Sequence, residues 1–445
     1  MLQNKNKPLA TEGNYTDSSS DELVSGNEQS HVNEQLHADE QPPVDDANTK
    51  REIPEEQLAA LEKYGLPRQD AKRLWLGRDR LLRNWQAMKI FLEEARPYLQ
   101  QWEYEQQSAK QQGPEPRNPR GAGRKQINME LMFVTLLIQR FMNWSDVKMA
   151  NEFAASKLVC AVALSLVDKG QLRLPARSTV QKYKAIFGND GLSKKLLEVT
   201  TKRGLGLVAD VLEANPAKGD EEHLEVGKVG SLDASFIDRP KFHYSAADKK
   251  AVQEGRPWDV VGSKPYASES HIVFDQIGWA KKYNVSHFGF KVHAVVDDAS
   301  KMILSYSRTA AQRHDVNLLV PLTLDAHERF GLHTVLADSG YISAEREAIL
   351  ETAGVTPCVI SRNGRKTKLS ADERATNRAI SHSRSRSEHV FASIKHNMGF
   401  EPLSTLDETL QSDFDFMVMA HNCARLRVYH DGRYSRPSLK KFIAA

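Results

Sequence analysis

Cysteines, long apolar runs and early aromatics are scarce in this chain. Its three cysteines, Cys160, Cys358 and Cys423, stand far apart, with no C-x-x-C pair. That excludes a disulfide scaffold and a cysteine zinc cluster, and it fits a reducing cytosol. The longest apolar runs, Leu131 to Ile138 and Leu158 to Val167, fall well short of the roughly 18 residues that cross a bilayer. The opening MLQNKNKPLATEG has no apolar stretch behind a basic start, so no secretory signal and no membrane partner are expected. Residues 1–50 hold a single aromatic, Tyr15, and set three lysines against ten Asp and Glu, a net −7. That composition reads as a disordered acidic tail. The expectation is a soluble, cytoplasmic protein.

What remains is substantial. The 445 residues are 40% hydrophobic and 27% charged, enough for about three average domains. Because the whole chain is +3, the part after residue 50 carries +10. A basic body behind an acidic tail suggests a nucleic-acid partner. Between Arg362 and Lys395, nine Lys or Arg face three acids, in RNGRKTK and SRSRSEH. Taken alone, such a run is accounted for by a solvated face plus a loop.

Periodicity divides the rest. Residues 51–110 repeat apolar side chains at helical spacing (Leu58, Leu61, Tyr64, then Leu81, Trp85, Met88 and Leu92). Residues 111–125, QQGPEPRNPRGAGRK, form a Pro/Gly/Arg-rich linker whose charge suits contact with phosphates. Residues 126–190 read as a helical domain, with Ser145 as an N-cap in NWSDVKMANEF. There LPARSTVQKYKAIFG opens a helix presenting Arg177, Gln181, Lys182 and Lys184 near its start. A basic helix after a turn is how helix-turn-helix domains reach the major groove, and it is equally an ordinary capped amphipathic helix. From 224 to 432 short strands appear, three in succession and then alternating with helices at 315–329, 343–353 and 384–398. That order predicts a mixed α/β sheet with helices on it, the apolar FDFMVMAHNCARLRVYH packing last against the sheet.

Three acids stand out. Alternation in GSLDASFID puts Ser231, Asp233 and Ser235 on the face opposite Leu232, Ala234 and Phe236. A carboxylate in so apolar a strand needs a partner, a proton or a metal. Asp338 ends the strand HTVLA, and ligands of α/β sheets gather beyond strand carboxyl ends. Each alone is also explained as a strand-end or turn-capping acid. Further on, Arg384, Glu388 and Lys395 lie four and seven residues apart on one helix face, beside the apolar Val390, Phe391, Ile394 and Met398. Three carboxylates make an oxygen-rich pocket that suits Mg²⁺ or Mn²⁺. Two such ions about 4 Å apart can activate a water or a 3′-hydroxyl against a phosphodiester.

LDASFID, LADSGY and the Arg384, Glu388, Lys395 spacing resemble the three DDE signatures of bacterial insertion-sequence transposases, most of all insertion-sequence family five. HFGFKVHAVVD is similar to that family's strand after the first Asp, and the region ending PARSTVQKYKAIF to its N-terminal domain. The resemblance implies an α/β RNase H-like catalytic core over 224–432, preceded by an all-α helix-turn-helix-like DNA-binding domain. It implies Asp233, Asp338 and Glu388 as catalytic metal ligands, with Arg384 and Lys395 on DNA phosphates. It also implies cleavage at terminal inverted repeats, strand transfer into target DNA, and a homodimer or larger assembly associated with the nucleoid. Ser381 departs from the pattern, standing where the family usually has Tyr. Two other readings use the same residues: a domesticated, non-catalytic DNA-binding protein, and a simple metal-dependent nuclease.

Lesser candidates complete the reading. Lys291 and His293 share a strand face that suits DNA or the acid pocket, and an edge-strand surface pair explains them equally well. Asp315 is expected to cap a helix, and Trp279 beside Lys281 and Lys282 suits stacking on an unpaired base or, more simply, a satellite hydrophobic contact. Residues 241–271 read as a flexible insertion.

Overall fold

The computed structural model describes residues 52–111, 127–169, 174–189, 191–215, 225–238, 254, 278–282, 285–363, 368–400 and 407–434. The acidic tail, almost all of the 111–125 linker and nearly all of 241–271 lie outside the described residues, as does the side chain of Trp279.

Helices come first. Pro54 and Pro67 precede α1 (Glu55–Lys63) and α2 (Arg68–Leu76), and α3 (Arg80–Gln111) buries Leu81, Leu82, Trp85, Met88 and Leu92. The Asn128 side chain accepts from the Leu131 N–H to cap α4 (Met129–Met142), whose residues from Met129 to Phe141 are all buried. A helix buried on every side belongs at the centre of a layer. Around it lie α5 (Asp146–Ala155), capped as expected by Ser145, then α6 (Lys157–Val167), α7 (Arg177–Asn189) and α8 (Leu192–Ala214). Trp85 Nε1 donates to Ser165 Oγ at 2.9 Å, joining α3 to α6. Among the described residues, no single helix is long and apolar enough to cross a membrane.

The sheet follows. Its strands are β1 (Val229–Asp238), β2 (Gly278–Lys282), β3 (Val285–Asp297), β4 (Ile303–Ala310), β5 (Thr334–Ala337) and β6 (Thr356–Val359). Strand β3 pairs antiparallel with β1, β2 and β4, while β1–β5 and β5–β6 are parallel. The short strand β2, within GWAKK, extends β3 as a hairpin. Helix α9 (Leu319–Phe330) carries the chain from β4 to β5, and α10 (Ala344–Thr352) from β5 to β6, the crossover that parallel strands require. Then come α11 (Ala371–Ala392) and α12 (Asp407–His430).

The last helix packs against the sheet, as its sequence suggests, and against the helical layer as well. Phe414 meets Phe290 of β3 at 5.7 Å between ring centroids, while Phe416 meets Phe133 of α4 and Phe187 of α7 at 5.6 and 5.2 Å. Helix α12 is therefore the filling between sheet and helical layer, because its apolar side chains point both ways. Asn422 pins it to β4, accepting from the Ile303 N–H at 2.8 Å and donating to the Ile303 carbonyl at 3.0 Å.

Candidate active site

Register brings the first two acids together. Strands β1 and β5 run parallel with Leu232 opposite Ala337, and the next residue on each is an aspartate. Asp233 and Asp338 thus emerge side by side where β5 ends, the edge at which α/β sheets collect ligands. Asp338 caps the 3₁₀ turn Ser339–Tyr341, its Oδ1 accepting from the Gly340 N–H at 2.8 Å. A Cβ on Gly340 would stand 2.8 Å from the same oxygen, so any larger residue displaces the carboxylate.

Helix α11 brings a cation. Ser370 opens it with a capping box, accepting from the Glu373 N–H at 3.1 Å while Glu373 accepts from the Ser370 N–H at 2.7 Å. Asn377 exchanges two 2.9 Å hydrogen bonds with the backbone of Ser361, tying the helix to the segment that leaves β6. Ile380, Val390 and Phe391 are buried, so the face bearing Arg384 turns inward. Its guanidinium lies 3.5 Å from Asp233 Oδ1 and 3.9 Å from Asp338 Oδ2. Asp233 is the more enclosed acid, with 17% of its side chain exposed against 41% for Asp338. Burial raises the Asp233 carboxyl above the usual range. Arg384 and a hydrogen bond from the Ala234 N–H oppose that rise, and the charges of Asp338 and Glu388 add to it.

The third acid stays outside. Glu388, one turn past Arg384, is exposed, and it acts on Asp233 through its charge. Among the described residues, no three His, Cys, Asp or Glu side chains gather closely enough to hold a metal ion. The physical reason lies in Arg384, which already supplies positive charge between the aspartates and leaves Glu388 hydrated on the helix surface. Past Ala392 the α-helix gives way to a π-helical turn, Ser393–Asn397. Lys395 is therefore rotated off the line that an unbroken helix would draw through Arg384 and Glu388. Its amine is partly buried, which lowers its pKa, while Asp238 and Asp233 pull the other way. Ser381 is exposed on α11.

The lesser candidates settle differently from expectation. Lys291 pairs across the sheet with Phe236, three residues from Asp233, so alternation sets the two on opposite faces. It is ion-paired with Asp315 and lies 5.3 Å over the Phe236 ring. Asp315 makes no capping bond; His314 occupies the N-cap position, and Asp315 serves Lys291 instead. His293 is fully buried, with Nε2 3.0 Å from Thr309 Oγ1, and burial beside Lys291 lowers its pKa to about 3.

On α7, Arg177, Gln181 and Lys182 are exposed. Lys184 is not: it is buried and pairs with Asp146 at 2.6 Å and Asp413 at 2.9 Å. Helical spacing places it with Val180 and Phe187 on the buried face. Two features escaped the sequence reading. Tyr341, fully enclosed beside Asp338, carried no local signal. The early start of α11 was signalled by S-A-D-E at 370–373.

Residues 226–423 match the family model of a transposase DDE domain. That stretch holds Asp233, Asp338, Arg384, Glu388 and Lys395. No solved structure matches the chain. The match supports a DDE transposase family, and the mixed sheet flanked by helices fits the RNase H-like core such a domain implies.

Proposed function

We propose that this chain is the transposase of a bacterial insertion sequence, related to family five, cutting DNA at its element's ends and joining them to a target. The observation that carries this reading is the convergence of Asp233 and Asp338 on one cation inside the matched segment. DDE transposases generally use divalent metals, and the donor chemistry fits Mg²⁺ or Mn²⁺: hard carboxylate oxygens that already share a positive partner. Asp233 and Asp338, joined by Glu388, would hold two ions. Held there, such ions would supply the Lewis acidity that activates a water or 3′-hydroxyl and would stabilise the leaving oxygen.

The chain's own side chains do the rest. Arg384 turns from the aspartates to a phosphate near the scissile bond, and Lys395 holds the backbone on the far side. Arg177 and Lys182, exposed on α7, contact the terminal inverted repeats. Catalysis is positioning and charge stabilisation, with no covalent protein–DNA intermediate. Lys291, held by Asp315, is left out of this set. Two ends must be processed together, so the acting species is a homodimer or larger.

The test is to incubate the protein with Mg²⁺ or Mn²⁺ and labelled duplexes, one carrying the DNA that flanks its gene and one scrambled. Nicking confined to the native ends supports the reading. Equal nicking of both duplexes indicates a simple nuclease, and specific binding without cleavage indicates a domesticated DNA-binding protein.

A further inference from the structure

A cleft of about 650 Å³ runs along β4, lined by the six consecutive residues 303–308. Neighbours on a strand point to opposite faces, so a cavity that all six border wraps the edge of the strand. The side chains agree. On one face Ser305 Oγ donates to Asp325 Oδ2 of α9, and on the other the Tyr306 hydroxyl donates to Asp415 Oδ1 of α12, each at 2.6 Å. Helices α9 and α12 are thus the walls. Among the described residues β4 pairs with β3 alone, whose other side is taken by β1. Asn422 shows what the open edge asks for: its carboxamide accepts from the Ile303 N–H and donates to the Ile303 carbonyl, as a neighbouring strand does.

Charge narrows the occupant. The lining sets the cations Lys194, Arg308 and Arg329 against Asp325 and Asp415. Both acids already hold donors: Asp325 accepts from Ser305 and from Arg329 Nη1 at 2.9 Å, and Asp415 from Tyr306 and from Ser193 at 2.6 Å. Arg329 Nη2 is buried without a hydrogen-bond partner among the described residues, a donor that calls for an acceptor oxygen. A phosphate chain brings acceptors only and leaves strand carbonyls unanswered. A peptide backbone answers both kinds of group, and carboxylates along it answer the cations.

We propose that the cleft takes up an extended acidic segment of a partner protein, which adds to β4 as a further strand between α9 and α12. None of these residues belongs to the proposed catalytic set.

The test uses the full chain and three fluorescein-labelled octapeptides: four Val-Glu repeats, four Val-Lys repeats, and the Val-Glu peptide N-methylated at every residue, which keeps its charge and loses its backbone donors. Binding is read by fluorescence anisotropy, and amide hydrogen exchange over β4 by mass spectrometry. The Val-Glu peptide is expected to bind saturably and to slow exchange in β4, while the other two bind weaker by about tenfold or more. Lys194→Glu, at an exposed position, is expected to weaken binding by about threefold to tenfold at an unchanged Tm. Ser307→Trp, which fills the cleft, is expected to abolish it; a lowered Tm in that variant leaves the decision to Lys194→Glu and the N-methylated peptide. Absence of saturable Val-Glu binding overturns the proposal. So does equal binding of the N-methylated peptide, which shows charge attraction without strand addition, and so does unchanged exchange in β4, which puts the contact elsewhere. Binding of AMP that Lys194→Glu weakens, with no peptide bound, overturns it in favour of a small-anion site.

Discussion

Asp233 pays for its position with desolvation, and the sign of that effect is measurable. Its carboxyl is raised above the ordinary 3.8, with burial the largest cause. A raised acid contributes stability that is fully present below the unfolded value and lost as pH rises through the folded one. At neutral pH the parent therefore carries the whole penalty. Asp233→Asn is expected to raise the Tm at pH 7, with the gain shrinking as pH falls and vanishing below 3.8; a gain independent of pH contradicts this. The same variant should lose DNA cleavage by about a thousandfold, since metal-assisted charge stabilisation is worth several kcal/mol. Much of this residue-level picture was legible, because Asp233 and Asp338 each interrupt or end a short apolar strand. The exposure of Glu388 was not legible: spacing fixes a shared helix face but not how far each side chain along it reaches. The Lys291–Asp315 pair was equally hidden, since it joins residues of β3 and the 3₁₀ helix before α9.

Elements dock where side chains permit close approach. In α7, a Cβ on Gly188 would stand 1.9 Å from the carbonyl oxygen of Glu408 at the start of α12. Backbone yields far less readily than a flexible side chain, so Gly188→Ala is expected to push the two helices apart. The expected cost is about 1–3 kcal/mol, the range for overpacking a core, read as a lower midpoint in urea with an unchanged slope. An unchanged midpoint would show that α12 shifts freely. At this scale the strands and capped helices were readable from alternation and from Ser145. Strand β2 was not, because GWAKK is short, charged and finds its partner only by pairing with β3. The inward turn of Lys184 likewise depends on Asp413, far along the chain, which no local pattern announces.

Across the whole molecule, two buried histidines contribute to the response to acid. His421 in α12 is buried, its Nε2 3.0 Å from the Lys301 carbonyl, and its pKa is lowered from 6.5 to about 4. His293 is lowered further, to about 3. Because the unfolded chain takes up these protons first, stability falls as pH drops below 6.5. By pH 4 the share of His421 is on the order of 3 kcal/mol. His421→Gln, which still donates to Lys301, is expected to flatten that part of the stability profile between pH 6.5 and 4; a parallel profile would contradict it. The buried acids Asp233, Asp297 and Asp415, all raised, act in the opposite sense, and the comparison between variants isolates the histidine.

In the proposed function Asp233, Asp338 and Glu388 act as one centre on DNA, although only the first two share Arg384 in this arrangement. Glu388→Gln tests it most directly, with nicking and binding of a labelled native end measured together in Mn²⁺. Binding is expected to stay close to that of the parent while nicking falls by about a thousandfold, the several kcal/mol expected of a lost metal ligand. Nicking at the parental rate would contradict it and leave Glu388 an ordinary surface acid of α11.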